Sequence, residues 1–328
     1  MFVDSRADDS ARVVIHARDM LSQGRIRDAI EAVDHARHGD GLDDPGRVSL
    51  ALTGLLAKLA LGDLRGAATY SRDLTNLMRV RGVVGATASF GLGEFAAARG
   101  YSDQAVSYYE RAGEELASTR THVSLPWRSG LARVVAGHGQ IARATALVEA
   151  ELAEARSLDS TYAVAAALRT RAAIAPTDDR VALLDEALEL LHGSGAARLD
   201  AQIRTDLAAW ILLLHPEESE RAVDLLRGAE KYARQEELNP LLSRIRWLLE
   251  RLGEAPDGEL PGRLAELSAA ERRVAQLVVV GKRNREVAAE LGVSVKSVEW
   301  HVSHILRKLS ITSRTELADA LAQPRQTR

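Results

Sequence analysis

A chain of 328 residues with 46% apolar side chains and a net charge of −3 is long enough for two domains and a sizeable core. It has no cysteine, which excludes thiol catalysis, cysteine-ligated zinc and disulfides. Met1, Phe2, Val3, Asp4, Ser5 and Arg6 bring charge too early for a signal peptide, and no run approaches the ~20 apolar residues of a membrane span. A cytoplasmic protein without a membrane partner is the expectation.

The first 252 residues are periodic. Ala29, Ala67, Ala105, Ala144, Ala182 and Ala222 recur at a nearly constant interval, the sign of a repeated structural unit. In the first four cases a glycine stands five residues earlier, at Gly24, Gly62, Gly100 and Gly139, after an apolar helical run. The spacing predicts a helix ended by glycine, a short polar turn, and a second helix whose small alanine lets the pair pack closely. In the last two repeats Pro176 and Pro216 replace the glycine as breakers, with Thr177 and Ser219 near the next helix start. This Gly-x-x-x-x-Ala arrangement resembles the tetratricopeptide repeat, although its period is a few positions longer than is usual there. The resemblance implies an all-α superhelix of six stacked helix pairs, with Trp127 and Arg128, on the first helix of the fourth repeat, as candidates for a ligand groove. A further helix over 238–252 carries Leu241, Leu242, Ile245, Leu248 and Leu249 on one stripe and is expected to cap the stack.

Metal and catalytic readings of this region fare poorly. His35 and His38 have the i, i+3 spacing of a one-face metal site. A helix end beside Gly39, Asp40, Gly41, Leu42, Asp43 and Asp44 is the plainer account, and that loop lacks the ligand order of a calcium-binding hand. His301 and His304 share the spacing, and His301 is expected to pack inside its own domain. No phosphate-binding Gly-x-x-x-x-Gly-Lys motif occurs, nor the strand–helix alternation of a phosphoacceptor domain. No enzyme, no cofactor and no metal are expected.

Residues 253–262 hold three glycines and two prolines and read as a linker. Beyond it, 263–328 carries twelve Lys and Arg against seven Asp and Glu, which leaves −8 on the rest of the chain. Four helices are predicted, at about 268–279, 284–291, 295–309 and 313–322. Capping boxes open the first, at Ser268 with Glu271, and the last, at Ser313 with Glu316. Val274, Leu277 and Val278 are the buried residues expected of the first helix, and Leu317 and Leu321 those of the last. Ala288 and Gly292 suit the close approach and tight turn of a helix-turn-helix, and Ser294 suits an N-cap. In the third helix Val298, Val302, Ile305 and Leu309 step along the inward stripe, leaving Lys296, Glu299, Trp300, Ser303 and Arg307 outward, where a major groove could receive them.

These positions resemble the LuxR/NarL-type helix-turn-helix of bacterial transcription regulators. The resemblance rests on Leu267 and Ser268 with Glu271, Arg272, Arg273 and Val274; Asn284 through Ala288; Ser297 through Val302; Arg307 through Leu309; and Ser313 through Leu317. It implies a homodimer on double-stranded DNA, with the third helix in the major groove and the fourth, 313–322, at the dimer contact. Lys296, Glu299, Trp300 and Ser303 would then face bases, while Lys282, Arg283, Arg285, Ser297, Arg307 and Lys308 hold phosphates; Ala288, Gly292 and Val298 are the packing residues. Six phosphate contacts would give a log–log salt slope of about −5. Glu299 departs from the family's frequent Lys or Arg; it could accept from cytosine N4 or remain in solvent beside Lys296. Trp300 could press on a thymine methyl or cover its own domain.

A superhelix followed by such a head is similar to the carboxyl-terminal half of large maltose-regulator-type proteins. The expected domains are 1–252, the linker 253–262, and the head 263–328. The expected function is a DNA-binding regulator gated by a small molecule or protein in the superhelix groove, with RNA polymerase as a candidate partner. It is either freestanding or part of a larger regulator. The alternative is a protein-interaction scaffold whose head dimerises, or contacts the transcription machinery, without reading DNA.

Overall fold

A computed structural model describes residues 5–37, 42–119, 125–175, 179–254, 267, 269–279, 282–291, 294–309, 311, 313–317 and 320. Every regular element among them is helical. His38, Gly39, Pro176, Thr177, Ser268, Gly292, residues 255–262 of the linker, and 318, 319, 321 and 322 of the last predicted helix lie outside that set. The chain divides into two compact units, Met1–Arg244 and Ile245–Arg328.

The first unit is a stack of six helix pairs: α1 (Ser5–Gln23) with α2 (Ile26–Arg37), α3 (Asp44–Leu61) with α4 (Leu64–Leu77), α5 (Val83–Ala98) with α6 (Ser102–Ala117), α7 (Trp127–Gly137) with α8 (Ile141–Ser157), α9 (Thr161–Ile174) with α10 (Arg180–Leu190), and α11 (Ala197–Leu214) with α12 (Ser219–Gln235). Helix α13 (Asn239–Arg251) follows. The glycine turns have the predicted chemistry. Gly62 adopts φ 79°, its N–H bonds to the Leu59 carbonyl, and Asp63 N–H reaches back to the Lys58 carbonyl, a turn that satisfies the last carbonyls of α3. The same pair of bonds recurs at Gly24, Gly100 and Gly139.

Ala29, Ala67, Ala105, Ala144 and Ala222 are each the fourth residue of their helix and are fully buried. Ala182 breaks the series. It is the third residue of α10 and exposed, and Leu184 and Ala187 take the inward positions instead. An alanine at the right interval in sequence thus lies two residues, or about 200° of helix, from the inward Leu184. Pro216 opens a short 3-10 turn, Pro216–Glu218, and Ser219 is the first residue of α12 rather than its cap.

The odd helices touch their successors, α1 to α3, α3 to α5, α5 to α7 and α7 to α9, and so form the inner layer of the curl. The curl closes. Tyr232 Oη donates to the Gly24 carbonyl at 2.6 Å, and Ile26 N–H donates to Glu236 Oε2 at 2.9 Å, so the sixth repeat caps the second helix of the first. Arg27 and Glu237 form an ion pair beside them. Two aromatic rings lock the repeats between. Tyr70 of α4 lies over Gly54 of α3, where an added Cβ would meet the ring at 2.5 Å. Tyr109 of α6 is seated between Gly93 of α5 and Gly130 of α7, at 2.7 and 2.5 Å by the same measure.

The second unit holds α14 (Ala269–Val279), α15 (Asn284–Leu291), α16 (Val295–Lys308) and a 3-10 turn, Arg314–Glu316. Leu267, Val274, Ala275, Val278, Val287, Ala288, Val298, Ile305, Leu309 and Leu317 form its core, with Val302 packed against it. No described helix of the chain is long and apolar enough to cross a membrane.

Candidate nucleic-acid interface

Helix α16 begins where Ser294 turns the chain. The residue is extended, at φ −73° and ψ 149°, and its hydroxyl accepts from Ser297 N–H at 3.1 Å. The inward stripe follows at helical spacing, with Val298, Ile305 and Leu309 buried and Val302 half-buried. Lys296, Glu299, Trp300, Ser303 and Arg307 are consequently exposed along one side. The structure therefore brings together four residues expected to face bases. Ser303 Oγ donates to the Glu299 carbonyl of its own helix at 2.9 Å, so its hydroxyl is held near the helix surface.

Trp300 is 56% exposed and stands outside the core. Its ring stacks on His304 at 3.9 Å between centroids and 27° between planes, and an Arg307 guanidinium nitrogen lies 3.1 Å from His304 Nδ1. Residues 300, 304 and 307 thus make an outward row one helical turn apart, with the imidazole as its middle member. Histidine spacing alone presents His304 as half of a metal pair; its i+4 relation to Trp300 is the signal in the sequence for the stack. His301 meets the Trp300 ring edge-on at 5.0 Å, and its Nδ1 is buried without a hydrogen-bond partner among the described residues.

The residues expected to hold phosphates are placed less uniformly. Arg283 and Arg285 are exposed at the start of α15, where Glu286 reaches back to accept from Arg283 N–H at 2.7 Å. Lys282 is half-buried, and its carbonyl accepts from Arg314 Nη2 at 2.7 Å. Arg314 also donates to Asn284 Oδ1, clamping the start of α15. Half-buried Ser297 sits in the first turn of α16. Lys308 has a partner inside the head: its ammonium lies 2.7 Å from Oε2 of Glu271, a carboxylate 4% exposed. The sequence pattern assigns Glu271 to a capping box with Ser268, which lies outside the described residues; its carboxylate also accepts from Lys308 of α16.

In the repeat unit, Trp127 and Arg128 line an 820 Å³ cleft between α6, α7 and α8. The Trp127 ring covers Gly113, and Arg128 stacks on Trp127 and pairs with Glu154 at 2.5 Å. Both side chains are thereby tied to the stack. Among the described residues the one group of three metal-capable side chains is His215, Glu217 and Glu218, of which the two glutamates belong to the 3-10 turn.

Comparison with known proteins bears on each unit separately. Residues 265–321 match the family described as bacterial regulatory proteins, luxR family. The chain is 34% identical over 71 residues to the transcriptional regulatory protein LiaR of Bacillus subtilis, covering 22% of this chain and 33% of LiaR. It is 43% identical over 53 residues to the oxygen regulatory protein NreC of Staphylococcus carnosus, covering 16% and 24%. It is 29% identical over 102 residues to the transcriptional repressor ThaA of Burkholderia thailandensis, covering 28% and 43%. The match thus spans less than half the length of each of these relatives. The solved structure of a Rap protein complexed with competence and sporulation factor superposes over 96% of this chain and 95% of that one, with a TM-score of 0.54 and 10% identity, a likeness of fold.

Proposed function

We propose that this chain, whose carboxyl-terminal unit is a LuxR-family DNA-binding domain, is a sequence-specific transcription regulator of the cytoplasm whose helical repeats take the signal. The observation that carries the reading is the two-sided division of α16. One stripe fills the head's core, and the opposite side offers Lys296, Glu299, Trp300 and Arg307 to solvent. A helix so divided, capped by Ser294, can enter a major groove with its N-terminal turn near phosphate. Arg283, Arg285 and Arg307 set register on the backbone, and Lys296, Glu299 and Trp300 choose sequence.

The division of labour follows the expected domains, with 1–252 as sensor, 253–262 as linker and 263–328 as head. A homodimer formed through 313–322 reads a two-fold site, and RNA polymerase is the partner downstream. The signal is a small molecule or a protein held by the repeats. The Rap protein of similar fold was solved complexed with competence and sporulation factor. No enzymatic step is assigned. Selection of duplexes from a random library by the full chain tests the reading: enrichment of a discrete two-fold motif is expected, and recovery of unenriched sequence would refute it.

A further inference from the structure

The inner helices carry a row of charge that composition does not reveal. Glu94 of α5, Arg133 of α7, Arg169 of α9, Asp206 of α11 and Arg244 of α13 follow one another at close to the repeat interval, one per inner helix. They are bonded along the row. Arg133 donates to Glu94 at 2.9 Å, Arg169 to Asp206 at 2.6 Å and Arg244 to the second oxygen of Asp206 at 2.5 Å. One carboxylate therefore serves two guanidiniums. Glu94 is already engaged by Arg133 and by Tyr109 Oη at 2.7 Å.

Because the curl closes, the end of this row faces the second and third repeats across a 400 Å³ cavity. Its polar wall is Glu94, Arg169, Arg198, Gln202 and Arg244. Leu59, Ala60, Ala97, Ala98, Leu238 and Leu241 supply the apolar wall. Arg198 has no ion pair or hydrogen-bond acceptor for its guanidinium among the described residues. Counting Arg133 and Asp206 behind the wall, and Glu151 beside Arg133, four guanidiniums meet three carboxylates. A guanidinium without an acceptor beside an apolar wall favours an anion, and guanidinium selects planar, bidentate oxyanions.

We infer that this cavity binds the carboxylate of a small amphipathic ligand, with Arg198 on the carboxylate and the apolar wall on the adjoining hydrocarbon. The site deepens the proposed sensor role and rests on it for its consequence, though not for its existence. A fatty-acid carboxylate and the terminal carboxylate of a short apolar peptide share this chemistry.

Isothermal titration of the full chain separates the cases. Octanoate and an apolar pentapeptide with a free carboxyl terminus are titrated beside octanamide and the amidated pentapeptide. Saturable binding of at least one carboxylate, with its amide weaker by about tenfold or more, is expected. Arg198→Gln should cost a similar factor and Arg198→Lys less; Arg198 holds no ion pair, so neither variant should unfold the stack. Which probe binds identifies the source. Equal binding of acid and amide, no binding of either acid, or wild-type affinity in Arg198→Gln would overturn the site. Fluorescence anisotropy of a duplex with and without the bound probe reads the sensor role separately: an unchanged DNA affinity would refute gating and leave the pocket standing.

Discussion

Lys308, at the end of α16, donates across the head to the buried carboxylate of Glu271 on α14 at 2.7 Å. A cation that belongs to the basic patch by sequence is thus an internal tie between the first and third helices of the head. Its removal takes a charged hydrogen bond from a buried acid, which costs about 1–3 kcal/mol. Lys308→Met should therefore lower the melting temperature of the head while leaving the salt slope of DNA binding unchanged. Arg307→Ala should do the reverse, reducing the slope by about 0.9 for each bound head. Melting curves and salt titrations of the two full-length variants check the contrast.

The glycine seats of Tyr109 make a second test. A methyl at Gly93 or Gly130 would meet the ring within 2.7 Å, in a stack where the ring is fully buried. Gly93→Ala and Gly130→Ala should each destabilise the repeat unit by about 1–3 kcal/mol through overpacking. Denaturant titration followed by circular dichroism measures it. Gly100→Ala, by contrast, meets nothing within 4 Å, so its cost comes from backbone strain at φ 77° alone.

Burial raises the phenols of Tyr70, Tyr109 and Tyr232 above the ordinary tyrosine value, with Asp34 and Glu94 adding to the rise at the first two. Unfolded tyrosines lose their protons near pH 10 while these three keep theirs in the fold. The stability associated with them is present below that pH and is lost as pH rises above it. Absorbance at 295 nm should show these three phenols ionising together with loss of helical dichroism. Ionisation of all three in a fully helical protein would contradict the packing described.

Much of the architecture was legible because two signals agree. Gly24, Gly62, Gly100 and Gly139 mark chain reversals that need a left-handed residue, and the buried alanines mark the contact that follows. Where only the interval remained, at Ala182, phase was lost, since a repeat period that itself varies by a residue or two does not specify which face of a helix an alanine occupies. Closure of the curl was not legible. Tyr232 and Glu236 stand at the far end of the unit from Gly24 and Ile26, and their contact depends on the accumulated rotation of six repeats. In the head, local spacing exposed the two faces of α16, whereas the pairing of Lys308 with Glu271 and the clamp of Arg314 on Asn284 required tertiary geometry.

The closure itself can be opened. Glu236 accepts from Ile26 N–H at 2.9 Å and from Arg27 N–H at 3.4 Å, filling a helix end that would otherwise carry free donors. Glu236→Ala should speed hydrogen exchange at Ile26 and Arg27 by about tenfold, with little change at the first turn of α6. Equal protection in wild type and variant would show that the latch does not hold the first repeat.

The central claim is that the exposed side of α16 reads DNA sequence. Selection of a random duplex library by full-length Lys296→Ala, in parallel with the wild type, tests it most directly. A motif altered at defined positions, with binding retained, is the predicted result; the same motif from both chains would contradict the account.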